Sequence, residues 1–364
     1  MEGAYYNGQY LNRLERLGYS QAEIDNKLES TFEEMFYGPE GVRLCHCAGP
    51  DMMYIEDTGN HDVRTEGMSY AMMFCVQMNR QKEFDCLWRW VVTHMYLTEG
   101  ENAGYFAWSC HTDGSKNSDG PAPDGEEFFA MSLFFAANRW GSGEGVLDYA
   151  SWARRILHAC VHKGEEAGSG FPMWNPENHL IKFIPNCEFT DPSYHLPHFY
   201  ELFALWSDEC DHPFWHAAAA ASRQYLRKAC HVRTGLSAEY AEYDGRPHRG
   251  DQPDRHDWFF SDAYRTLGNI ALDAQWFGDK DGWAQETAAH IQQFFEEKEH
   301  GQTNGIYLID GTPVEGNALH PVGLLATIAQ GSLILDDACA DEWLRRFFST
   351  PVSYTHLTLP TNRE

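Results

Sequence analysis

Residues 67–78 read Gly67-Met68-Ser69-Tyr70-Ala71-Met72-Met73-Phe74-Cys75-Val76-Gln77-Met78, and residues 84–96 read Phe84-Asp85-Cys86-Leu87-Trp88-Arg89-Trp90-Val91-Val92-Thr93-His94-Met95-Tyr96. The first stretch is small and apolar almost all round on a helical period; the second is amphipathic. A helix apolar on every side is buried, and one with a polar face lies outside. The same pairing recurs along the chain. Residues 126–140 are apolar and 146–162 amphipathic; 196–208 are apolar and 212–230 amphipathic. Residues 259–277 are long and mixed, 280–298 amphipathic, 318–335 apolar and 340–348 amphipathic. An opening helix over 20–37 is announced by Ser20 with Glu23 three residues on, a capping box. The alternation predicts an all-α fold with an inner and an outer ring of helices, repeated roughly every 60 residues. Trp88, Trp152, Trp215, Trp283 and Trp343 sit in the polar-faced helices and are read as core.

Two regions depart from helix. Residues 171–189 suggest a short β-hairpin around Asn175-Pro176-Glu177-Asn178, and 233–258 form a long polar loop. Nothing resembles a linker, so residues 1–349 are expected to be one domain. Two alternating rings call for a twelfth helix, yet 350–364 carry no helical period and two prolines. The expectation is a ring lacking its last helix, with 350–364 a non-native tail.

Composition narrows the partners. The chain has 364 residues, 27 Lys plus Arg and 54 Asp plus Glu, for a net charge of −27. That balance argues against nucleic acid, because no basic face is present to displace counterions from phosphates. It argues equally against an anionic membrane surface. No run of apolar residues is long enough to span a bilayer, and the first ten residues lack the pattern of a signal peptide, so a cytoplasmic location is expected. The ten cysteines then read as buried reduced thiols. Cys45-His46-Cys47 is too tightly spaced for a tetrahedral zinc site. Neutral small molecules remain, among them carbohydrates, which aromatic rings and carboxylates recognise well.

Acidic residues recur where apolar helices begin. Glu66, Asp124, Asp191 and Asp262 hold such positions, and His320 stands at the fifth. Any one of them is explained by capping and by the helix dipole. As a set they enter buried walls rather than solvated faces. Two carboxylates flanking a cleft suit glycoside hydrolysis, one donating a proton to the leaving oxygen and the other activating water or attacking directly. Signatures of nucleotide binding, serine hydrolases and zinc proteases are missing.

Thr65-Glu66-Gly67-Met68-Ser69-Tyr70-Ala71-Met72-Met73, Ala122-Pro123-Asp124-Gly125, Asp191-Pro192-Ser193-Tyr194 and Ser261-Asp262-Ala263-Tyr264-Arg265 resemble glycoside hydrolase family 8. The likeness runs from about residue 3 to 348. Within the family the chain looks most like the exo-acting members that release xylose from the reducing end of oligoxylans. The resemblance implies an (α/α)6 barrel, an inverting mechanism, β-1,4-xylo-oligosaccharide substrates, and no metal or other cofactor. It implies Glu66 as general acid, Asp262 as general base and Asp124 as the acid that holds the distorted sugar. Trp108, Tyr194 and Trp174 resemble sugar-subsite residues. His320 resembles the residue that binds the reducing-end hydroxyl, and the Leu319-His320-Pro321 turn the segment that blocks longer leaving groups. The missing last helix would expose an apolar seam, so a monomer or weak dimer is expected. Two alternatives stay open: an endo-acting member cutting xylan, β-glucan or chitosan, and an inactive saccharide-binding barrel.

Overall fold

The computed structural model describes residues 1–364 except 166–167, 251–254 and 352–364. The last of these ranges holds most of the expected non-native tail, which therefore lies outside the described residues. Eleven helices of ten or more residues occur among the described residues. They are α1 Gln21–Tyr37, α2 Thr65–Gln77, α3 Gln81–Trp90, α4 Pro123–Trp140, α5 Tyr149–His162, α6 Pro197–Trp206, α7 His212–Ala229, α8 Arg265–Phe277, α9 Trp283–Glu299, α10 Pro321–Gly331 and α11 Ala338–Ser349. Each falls on a stretch expected to be helical. At the start of α1 the capping box forms as expected. The Ser20 amide donates to Glu23 Oε2 at 2.7 Å, and the Glu23 amide donates to Ser20 Oγ at 3.3 Å.

The chain packs into two compact units, both assembled from separated segments. One contains Met1–Thr31, Glu188–His198 and Ala218–Glu364; the other contains Phe32–Cys187 and Phe199–Ala217. In the second unit α2 packs on α3 and α4, and α4 on α5. The apolar helices are buried nearly all round: α2 buries Met68, Ala71, Met72, Met73, Cys75 and Val76. By contrast α3 buries one stripe, including Phe84, Leu87, Trp88 and Trp90. The pattern that separated the two helix types in the sequence is thus a pattern of burial. Two antiparallel pairs brace this unit, Cys45–Cys47 with Met53–Ile55 and Asp62–Arg64 with Ser109–His111.

In the first unit α8 packs on α9 and α10, and α11 packs on α9 and α10. A small antiparallel sheet orders Trp258–Phe259, Ile306–Leu308 and Pro313–Val314. The opening segment is tied to the closing one. Lys27 Nζ donates to the carbonyls of Phe348 at 2.7 Å and Thr350 at 2.9 Å, and Arg13 Nε to that of Leu333 at 3.3 Å.

Several local expectations need correction. Trp88, Trp215 and Trp343 are fully buried, but Trp152 and Trp283 are only half-buried. Their outer faces are covered by the guanidiniums of Arg155 and Arg227 at 4.6 and 4.8 Å, a cation–π lid rather than core. The 171–189 hairpin shrinks to one bridge, Trp174 with Ile181, because Asn175 Oδ1 caps the turn amides of Glu177 and Asn178. The 233–258 loop is more ordered than its polarity suggests. Ala241 bridges both Thr190 and Pro247, and Trp258 is already strand. None of the ten cysteines is in a disulfide, but four are not buried: Cys47 and Cys210 are exposed, and Cys187 and Cys339 half-buried.

Buried His195 gives this fold a pH dependence. Its Nδ1 meets Ser222 Oγ at 2.8 Å and its Nε2 meets Thr190 Oγ1 at 3.0 Å. Burial pushes its pKa down from 6.5 to about 3. The unfolded chain therefore binds the proton that the folded chain refuses. The stabilisation is complete above the unfolded value and is lost as pH falls from there towards the folded one. The melting temperature of the wild type should drop more steeply across that window than that of His195→Gln; parallel curves would contradict this.

Candidate active site

In the second unit the antiparallel pair Asp62–Arg64 with Ser109–His111 sets two candidate residues side by side. Arg64 stands opposite Ser109. The chain runs on from Arg64 into α2, whose first turn holds Glu66, and back from Ser109 to Trp108. The Thr65 amide donates to the Trp108 carbonyl at 3.0 Å. Below them Asp62 accepts from Arg64 Nε at 3.0 Å and from Ser109 Oγ at 2.9 Å. The Arg64 guanidinium lies over the Trp108 ring, 5.2 Å from its centre. Thr65 Oγ1 donates to Glu66 Oε2 at 3.3 Å. Glu66 and Trp108 are both half-buried, so part of each remains open.

Asp124 is only 2% exposed, in the first turn of α4. There the helix dipole and free amides favour a carboxylate. The starts of α2 and α4 come together at Gly125. A Cβ at that position would stand 2.5 Å from Thr65 Cβ, so only glycine permits the approach. Behind Asp124 lie two further acids that the sequence reading did not single out. Glu126 accepts from the Phe106 amide at 2.9 Å, and Glu127 from Tyr200 Oη at 2.5 Å. Burial raises the Glu126 pKa well above its ordinary value, and the charges of Asp124 and Glu66 add to this.

Trp174 does not join this group. It is 1% exposed and lies edge-on to Tyr200 and Trp215, with ring centres 5.6 and 5.0 Å away. A sugar needs an open ring face, and the short turn at Asn175 has tucked this one into the aromatic core. The expectation of a Trp174 subsite is corrected.

In the first unit Arg265, at the start of α8, gathers the other acids. Its Nη2 lies 3.3 Å from Asp262 Oδ1 and 4.0 Å from Asp191 Oδ2. Its guanidinium also sits 5.6 Å from the centre of the Tyr194 ring. Asp191 is fully buried and caps the Pro192–Tyr194 turn, accepting from the Ser193 amide at 2.6 Å. Burial, reinforced by the charge on Asp262, raises the Asp191 pKa well above normal; Arg265 opposes the rise. Asp262 differs in having a side chain 44% exposed. It is presented by Ser261, whose φ of 44° lies in the left-handed region that a non-glycine residue adopts at a cost. A third acid, Glu239, accepts from Trp258 Nε1 at 2.6 Å. Burial pushes its pKa up to about 8, partly relieved by that hydrogen bond and reinforced by Asp262. Among these three acids Asp262 is the one facing solvent.

The Leu319-His320-Pro321 segment leads into α10, which packs on the Ser261–Tyr264 turn. Leu319 and His320 are exposed and Pro321 is the first residue of the helix. The segment is pinned from both sides. Thr303 Oγ1 donates to the Pro321 carbonyl at 2.6 Å and the Ala318 amide to the Asn304 carbonyl at 2.7 Å. Tyr194 is buried beneath Arg265, with its ring largely enclosed.

Acids at helix starts, open tryptophan and a pinned exposed turn are the components of a saccharide hydrolase. The model of the glycosyl hydrolases family 8 matches residues 20–338. The chain is 53% identical to a reducing end xylose-releasing exo-oligoxylanase of Halalkalibacterium halodurans, over 96% of this chain and 89% of that one. It is 54% identical to a reducing-end xylose-releasing exo-oligoxylanase of Paenibacillus barcinonensis, over 96% of this chain and 92% of that one. A crystal structure of a reducing end xylose-releasing exo-oligoxylanase matches with a TM-score of 0.93 at 53% identity, covering 98% of this chain and 93% of that one. An endoglucanase of Acetivibrio thermocellus is 25% identical, over 91% of this chain and 65% of that one. The chain belongs to glycoside hydrolase family 8. It is a glycosidase of the (α/α)6 class that the resemblance implied, in keeping with its alternating helices. No helix among the described residues is long and apolar enough to cross a membrane.

Gly125→Ala tests the close approach. The added methyl must displace Thr65 and with it the turn holding Glu66. The expected result is a loss in kcat/KM on the order of 10²-fold, the usual cost of a 1 Å misplacement. Wild-type kinetics in this variant would show that the approach does not position Glu66.

Proposed function

We propose that the chain is an inverting exo-oligoxylanase that removes xylose from the reducing end of β-1,4-xylo-oligosaccharides. The observation that carries this reading is identity above 50% across almost the whole chain to two enzymes bearing that name. Glu66, Asp124, Asp262 and Leu319-His320-Pro321, which resemble the family's motifs, agree with it.

In this mechanism Glu66 gives its proton to the glycosidic oxygen as the bond to the anomeric carbon breaks. Asp262 takes a proton from the water that attacks that carbon from the opposite face. Inverting enzymes separate the two carboxyl groups by roughly 6.5–9.5 Å, leaving room for the water. The shortened oligosaccharide leaves as the α anomer, and solvent returns the proton balance. Asp124, fixed in the first turn of its helix, holds the hydroxyls of the distorted sugar. Trp108 offers an aromatic face to a sugar ring, while the enclosed Tyr194 backs the site from beneath Arg265. His320 binds the reducing-end hydroxyl, and the Leu319–Pro321 turn stops a second leaving-group sugar. Nothing in these steps calls for a metal or cofactor.

Xylotriose and its reduced alditol separate this reading from the endo-acting one. Xylose should appear from xylotriose but not from the alditol, and proton NMR should show α-xylobiose first. Random shortening of polymeric xylan would overturn the assignment. Glu66→Ala and Asp262→Ala should each lower kcat by about 10²–10⁴-fold with unchanged circular dichroism. Near-normal turnover in either would remove that residue from its role. His320→Ala should admit substrates extended beyond the first leaving-group xylose; an unchanged product profile would count against the binding role of His320.

A further inference from the structure

His158 and His162 project from one face of α5, a single turn apart. Asp211 ends the Glu209–Asp211 turn from which α7 begins. One donor atom from each of the three lies within 4.8 Å of the other two. All three residues belong to the second unit. None is among the residues assigned above to sugar hydrolysis.

We propose that His158, His162 and Asp211 form a site for one zinc ion that clamps the C-terminal end of α5 to the turn preceding α7.

The ligand set is graded in a way that suits capture from solvent. Asp211 is buried, His162 is half-buried, and the His158 side chain is 58% exposed. The inner ligands are thus fixed and the outer one is free to close. His162 Nε2 already lies 2.7 Å from Asp211 Oδ1. Its other nitrogen, Nδ1, is held by Glu165 Oε1 at 2.6 Å. That is the arrangement of a metal-bound imidazole, whose far nitrogen donates to a carboxylate that fixes the ring and raises its basicity. An ion pair between His162 and the two acids would account for Asp211 and Glu165 alone. It does not account for the second imidazole, whose ring centre stands 4.5 Å from the first. The nearest carboxylate to His158 Nδ1 is that of Asp208, at 3.9 Å, too far for a hydrogen bond.

Two imidazoles and a carboxylate select a zinc-like ion over magnesium or calcium, which prefer oxygen throughout. Bonds of about 2.0–2.1 Å in a tetrahedral shell set the donors roughly 3.3 Å apart. Reaching that spacing needs His162 Nε2 and Asp211 Oδ1 to part by about 0.6 Å and exposed His158 to swing inward, and water completes the shell. The sequence carries half of the signal, His158-Ala159-Cys160-Val161-His162, with histidines at i and i+4. Asp211 is remote in the chain and only folding brings it in.

The test compares the tag-free chain with His158→Ala, both stripped of metal and titrated with zinc chloride at neutral pH by calorimetry. His158 is exposed, so its removal should leave circular dichroism unchanged. The wild type should bind one more zinc ion per chain than the variant, with binding to cysteines subtracted by the comparison. Zinc should also raise the melting temperature of the wild type more than that of the variant. Equal stoichiometry in the two proteins, or an equal zinc-induced shift, overturns the proposal. Asp211→Asn, which keeps the side-chain shape, should lose the same ion.

Discussion

Burying carboxylates at the starts of apolar helices is the constraint on which the rest depends. An ionised carboxylate removed from water must be hydrogen-bonded, paired or protonated. Asp191 takes a turn amide and a nearby guanidinium, Asp62 takes an arginine and a serine, and Glu126 takes the Phe106 amide while burial drives its pKa upward. Helix starts are the natural place for this, since free amides and the dipole favour negative charge there. The apolar flanks of α2 and α4 keep water from the acids, and the glycine between Asp124 and Glu126 lets the two starts meet. The proposed catalytic acids and the helix packing therefore share one set of residues.

Much of this was legible in the chain. Helical period separated the all-round apolar helices from the amphipathic ones, and every long helix lies where that pattern expected it. Ser20 and Glu23 announced their capping box by spacing alone. Glu66, Asp124 and Asp262 stood out because acids are costly at the mouth of an apolar segment. What escaped was set by contacts between distant residues. Arg265 looks like an ordinary polar residue of a helix start until Asp191, Tyr194 and Asp262 surround it. Glu239 is one acid in a polar loop until Trp258 and burial raise its pKa. Trp174 has the composition of a sugar platform, and only the turn beside it decides that the ring faces inward. The same limit applies to Trp283, whose lid is Arg227 on α7.

The specificity proposed for this enzyme rests on little of its mass. Cutting one sugar from a chain end, rather than anywhere along it, requires a loop that stops the chain. Here that loop is short, opens on a proline-started helix and is pinned by Thr303 and Asn304. A wall needs stiffness more than bulk, and two hydrogen bonds with one fixed φ supply it.

The tie between the opening and closing segments has a consequence for how the protein is made. Lys27 grips carbonyls of Phe348 and Thr350, and the unit containing it is assembled from the first, a middle and the last stretch of sequence. On the ribosome its first helix emerges more than three hundred residues before its partners. The other unit is nearly continuous and has all its segments once residue 217 is out. Synthesis thus imposes an order: the interior half of the sequence can finish while the N-terminal segment waits, exposed, for the end of the chain. Any helper that shields nascent apolar surface would find its longest engagement there.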